Sequence, residues 1–241
     1  MSGALAVALA GSLSWSATAS DAISGWATTV LIEAAQELGL RAFETGTGRC
    51  PAAAKVCVGL HVHPVVEEDE PVATPLWFAH HVAHANRLFA AIGVGFEVAE
   101  VSAAPAEHAD MQTRKQRDLL GRKDHDLGVV HVYLVRRLAD VDVEGAVIRG
   151  VHWRDRAGKG VRRWVILSSV ASHPVLAHEL GHFFGLPHSK YAISIMNKRR
   201  APGRPAWPDL VFHDEELTIM RGRRDAMLAD KTLRRRKRGK R

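Results

Sequence analysis

At 241 residues, 46% of them hydrophobic, the chain can bury one sizeable core but is short for two. Its net charge of +7 is local: residues 231–241 hold eight of the 33 Lys and Arg and no acid, leaving 25 basic against 26 acidic residues before them. No run of eighteen apolar residues occurs, which argues against a spanning helix, and no nucleic-acid fold motif appears.

The chain opens on small apolar residues at 4–13, and Ala17-Thr18-Ala19 fits the small-x-small pattern of a signal-peptidase site. Removal of residues 1–19 and a secreted or periplasmic protein are expected. Against this, no Lys or Arg precedes the apolar stretch, so an Ala-rich leader on a cytoplasmic protein is the alternative. Residues 20–45 read as an N-terminal helix or a short pro-segment, and the two are not separable by pattern. Cys50 and Cys57, with Pro51 between them, would close a small loop as a disulfide in an exported protein and remain reduced thiols in the cytoplasm.

Val56, Val58, Leu60 and Val62 alternate with Cys57, Gly59, His61 and His63, the pattern of a half-buried strand. Thr74-Pro75 opens a helix with Phe78, Val82, Ala85 and Phe89 on one face, closed by Gly93. His80 and His84 share that helix opposite its apolar face, where an exposed surface is expected. Val94, Phe96 and Val98 form a second strand. Asp124-His125-Asp126 could bind calcium or a second zinc, but its spacing specifies neither, and a polar loop is expected. Residues 128–135 are nearly continuous in apolar character, as for a central strand covered on both faces. Strands around 146–153 and 163–169 follow, flanking the turn-rich Asp155–Gly160. A helix starts at Ser172 and Pro174, and a last one spans about 214–228, with Asp214, Glu215 and Glu216 matched to its dipole.

The chemistry concentrates in residues 178–188, His-Glu-Leu-Gly-His-Phe-Phe-Gly-Leu-Pro-His. Four residues apart on a helix, His178 and His182 share a face. Gly185 tolerates positive φ and ends the helix, so that His188 can return as a third nitrogen ligand. Three protein ligands leave a tetrahedral zinc one open position, the catalytic arrangement. Glu179 lies beside His178 and can accept a proton from the water at that position without ligating the metal.

This pattern, His178-Glu179-x-x-His182-x-x-Gly185-x-x-His188, resembles the signature of the metzincin metallopeptidases. Met196, eight residues after His188, is similar to the family's methionine turn, and that spacing with Ser189 resembles the matrixin branch most. Asn197-Lys198 departs from the Tyr-Pro that commonly follows the matrixin methionine. The resemblance implies an α+β zincin domain over residues 46–230: a twisted, mostly parallel five-stranded sheet with an active-site helix and a C-terminal helix. It also implies one catalytic Zn2+, a protein or peptide substrate lying along an edge strand near Val147–Trp153, and Met196 as an uncoordinated floor. The loop Lys198–Pro208, with Lys198, Arg199, Arg200, Arg204 and Trp207, would by the same resemblance border a specificity pocket.

A zinc endopeptidase, expected to be a monomer, is thus the leading expectation. The 231–241 segment reads as a basic disordered tail able to contact polyanions. It supports a second function class, a polyanion-binding protein with a structural or degenerate metal site. A zinc hydrolase of non-peptide amides is a third.

Overall fold

The computed structural model describes residues 37, 39–122, 125–155, 162–198, 204–206 and 209–236. Segment 1–19, Asp124, Arg199, Arg200 and Trp207 lie outside the described residues. Chain contacts divide the protein into Met1–Glu37 and Leu38–Arg241; of the first unit only Glu37, in helical conformation, is described.

In chain order the elements are α1 (residues 39–46), β1 (Val56–Pro64), β2 (Val66–Glu67), β3 (Glu70–Pro71), α2 (Pro75–Phe89), β4 (Val94–Val101), β5 (Asp110–Met111) and α3 (Arg114–Leu120). There follow β6 (Val130–Val135), β7 (Arg137–Leu138), β8 (Gly150–Asp155), β9 (Arg162–Ser168), α4 (Pro174–Phe183) and α5 (Asp214–Ala229). Five strands form one sheet in the order β4-β1-β6-β9-β8, parallel throughout except for β8, which runs antiparallel to β9 at one edge. The mixed, mostly parallel five-stranded sheet that the resemblance implied is what the chain forms.

Alternation along the strands sends residues to two cores. Val58, Leu60 and Val62 of β1, Val132 and Leu134 of β6, and Val165 and Leu167 of β9 join Phe78, Val82 and Phe89 of α2 and Leu176 and Leu180 of α4. Tyr133, Trp164 and Ile166 face the other way, into a second cluster with Met111, Leu120 and Leu138.

Several expectations need correction. β1 is buried at all nine positions rather than half-buried, because β4 and β6 flank it and both faces are covered. His84 is buried on α2 while His80 stays exposed, so that face is not wholly a solvent face. The packed body does not begin at residue 46: Phe43 of α1 is fully buried and packs on Phe78, with ring centroids 6.2 Å apart. Nor does a disordered tail begin at Lys231. Leu233 is buried, its N–H bonds to Met227 O, Arg234 N–H bonds to Gly128 O, and Arg236 N–H bonds to Cys57 O. Arg236 also pairs with Glu97 at 2.6 Å, which takes that cation out of any polyanion-binding set. Residues 237–241 lie outside the described residues. α3 lacks a hydrophobic periodicity, yet Thr113 and Gln116 form a reciprocal capping box, a local signal of a helix start.

Cys50 and Cys57 are joined by a disulfide with Cα atoms 5.9 Å apart. Among the described residues no helix is long and apolar enough to cross a membrane.

The buried α2 histidine His81 makes stability pH-dependent. Its pKa is lowered to about 3, chiefly by desolvation and next by the neighbouring His173. The folded state therefore holds His81 neutral while the unfolded chain protonates it below about pH 6.5, so its contribution is complete above that pH and is lost as pH falls. Stability should fall by up to about 1.4 kcal/mol per pH unit from this one group between about pH 6 and 4. Chemical denaturation of wild type and His81→Leu across that range checks it: the variant's pH slope should be shallower.

Candidate metal centre

α4 carries the first two histidines of the motif. Pro174 occupies its first turn, and β8 crosses so closely that a Cβ on Gly150 would stand 2.5 Å from Val175 and 3.2 Å from Glu179. The helix ends as the glycine spacing predicts. Gly185 adopts φ 93°. Its N–H bonds to His182 O, and Leu186 N–H bonds to Gly181 O, the paired bonds of a Schellman motif. That turn brings His188 back over the helix.

His178, His182 and His188 each offer a ring nitrogen within 4.8 Å of the other two. His182 Nε2 and His188 Nε2 stand 3.2 Å apart, close to the roughly 3.3 Å edge of a tetrahedron with zinc–nitrogen bonds near 2.05 Å. The opposite ring nitrogens face backbone carbonyls: His178 Nδ1 lies 2.9 Å from Ile195 O and His182 Nδ1 lies 2.7 Å from Leu186 O. Such bonds place the proton on Nδ1 and leave Nε2 as the ligand, the outer-shell arrangement usual for metal-binding histidine. Burial lowers the pKa of His178 to about 4, and burial followed by Lys198 lowers His188 to about 4. Three neutral, convergent imidazoles fit zinc.

Glu179 is on the same helix and is buried. Its Oε2 accepts the His152 backbone N–H at 2.7 Å, and burial pushes its pKa up to about 7. His152 carries no signal in the sequence because its relevant group is a backbone N–H, which leaves no residue-type signature.

Met196 is fully buried beneath α4, where a Cβ on Gly181 would lie 2.5 Å from its sulfur. The turn around it is anchored: Ser194 Oγ donates to Glu216 at 2.7 Å and accepts from Met196 N–H at 3.0 Å, while Ile195 N–H bonds to Val211 O. The same Glu216 accepts the His213 N–H at the start of α5, so one buried carboxylate ties the turn to the last helix.

A cleft of about 1300 Å³ contains His178, Glu179, His182 and His188. β8 and the residues before it, Val147 to Trp153, line the cleft. Lys198 and Arg204 lie on it too. Arg117, which no sequence pattern singles out, lines it from α3 with its guanidinium 4.9 Å from the Trp153 ring.

No protein-family model matches the chain, and no curated protein matches it in sequence. Among solved structures it is similar to the archaemetzincin of Methanopyrus kandleri, with 14% identity and a TM-score of 0.49 over 73% of this chain and 98% of that one. It is also similar to the archaemetzincin of Archaeoglobus fulgidus complexed with malonate, with 16% identity and a TM-score of 0.36 over 68% of this chain and 99% of that one. Both proteins are archaemetzincins, and nothing in these likenesses supports the matrixin branch.

Proposed function

We propose that the chain is a zinc-dependent endopeptidase with Glu179 as its general base. The observation that carries the reading is the convergence of His178, His182 and His188 beside a buried carboxylate in an open cleft. Zinc held by these three histidines would supply Lewis acidity, lowering the pKa of a water and polarising a carbonyl.

The remaining work falls to the chain's own groups. Glu179 Oε2 is engaged by His152 N–H, so Oε1 is the atom placed to take a proton from the attacking water and pass it to the departing amine. β8 ends the sheet, and its outer edge can pair an extended peptide through backbone hydrogen bonds. Met196 supports the ligands from below without coordinating. Lys198 and Arg204 on the cleft support a preference for acidic side chains.

Dialysis against a zinc chelator should abolish cleavage of a mixed quenched-fluorescent peptide pool, and stoichiometric Zn2+ should restore it. Cleavage that survives complete chelation would overturn the proposal.

A further inference from the structure

On the face of the sheet turned away from α2 and α4 stands a second group of histidines. Parallel neighbours β1 and β6 are in register with His61 opposite His131 and His63 opposite Tyr133. Alternation therefore puts three imidazoles on one face. His61, His63 and His131 are 3%, 5% and 0% exposed, and one ring nitrogen of each lies within 4.8 Å of the other two. We propose that His61, His63 and His131 form a second metal site, structural in role, that takes a divalent transition metal, zinc being the best match to its all-imidazole donors.

His63 Nε2 and His131 Nδ1 stand 3.0 Å apart, near the roughly 3.3 Å separation of two nitrogens on one tetrahedral zinc. Each ring is held from its other side. His131 Nε2 is 3.1 Å from Asp126 O, His61 Nε2 is 2.9 Å from Ser102 Oγ, and His63 has a backbone hydrogen bond to Ser102. These are the outer-shell partners that fix the orientation of metal-bound histidine.

Beside the cluster, His61 also groups with the carboxylates of Glu100 and Asp126, donor atoms within 4.8 Å of one another; both residues are exposed, and Glu100 stands 3.7 Å from His61 Nε2. His125 stacks on His131 with centroids 4.6 Å apart, and its buried Nδ1 has no hydrogen-bond partner among the described residues. Apolar side chains would fill this sheet face without the cost of desolvating imidazoles. A metal offsets that cost because binding free energy at a site absent from the unfolded chain becomes folding free energy.

The test uses the full chain, stripped of metal and titrated with Zn2+ alone, with bound metal counted by mass spectrometry. Wild type should bind two equivalents, His131→Gln one, His182→Ala one, and the double variant none. One equivalent in wild type that His131→Gln retains would overturn the second site. Should His131→Gln fail to fold, His178→Ala/His182→Ala titrated with Co2+ decides. One tightly bound ion with tetrahedral absorption, and a thermal midpoint raised by about 5–10 °C at saturation, is expected; no binding overturns the site. Failure of the first centre reads differently: His182→Ala would then bind as much metal as wild type.

Discussion

Glu179→Gln is expected to lower kcat/KM for peptide cleavage by about 10²- to 10⁴-fold while leaving metal content unchanged. Glutamine keeps the shape of the side chain, and its amide oxygen can still accept the His152 N–H that now binds Oε2 at 2.7 Å. What it loses is the capacity to take a proton. A loss confined to activity, with zinc stoichiometry and thermal midpoint preserved, assigns Glu179 to proton transfer. Parallel loss of metal would instead mean that the carboxylate helps hold the ion. Full activity in the variant would remove Glu179 from the mechanism.

Gly121→Ala is expected to cost about 1–3 kcal/mol and to lower the thermal midpoint by several degrees. An added Cβ would stand 2.1, 2.3 and 2.4 Å from three atoms of the Trp164 indole. Trp164 is fully buried, and a fused ring cannot yield at its tip as a flexible side chain would. The His125 ring lies 6.1 Å from the indole, so displacement of Trp164 should also disturb the second histidine cluster. Gly222→Ala is the matched control. It lies inside α5, where an added Cβ would have nothing within 4 Å, and the substitution should stabilise the protein by up to about 1 kcal/mol. Equal effects at the two glycines would show that backbone freedom, and not the indole, sets the cost at Gly121.

How much of the candidate site was legible depends on whether its parts lie close in sequence. His178, Glu179, His182, Gly185 and His188 sit within eleven residues, and helix periodicity with one glycine turn accounts for their convergence. His152 is 27 residues from Glu179 and takes part through its backbone, so residue type was silent there. Lys198 and Arg204 were legible as basic residues, yet their place on the cleft depends on the turn that Ser194 and Glu216 hold across 22 residues. The basic run after Lys231 is misleading as a pattern: charge argues for solvent, while Leu233 and backbone bonds to Gly128 and Cys57 draw its first residues onto the body.

By itself the sequence determined the chain's local periodicities. These specified β6 as a strand covered on both faces, α2 and α5 as amphipathic or dipole-matched helices, and the histidine spacing on α4. Only the tertiary structure decided what those faces meet. The strand order β4-β1-β6-β9-β8 sets β1 between two partners, and Val129 and Arg236, far along the chain, lie over Gly59 on its second face. Strand alternation can state that His61 and His63 share a side, but not whether that side meets water or protein. In the folded chain it meets His131, 68 residues beyond His63, because sheet register joins positions that chain distance keeps apart.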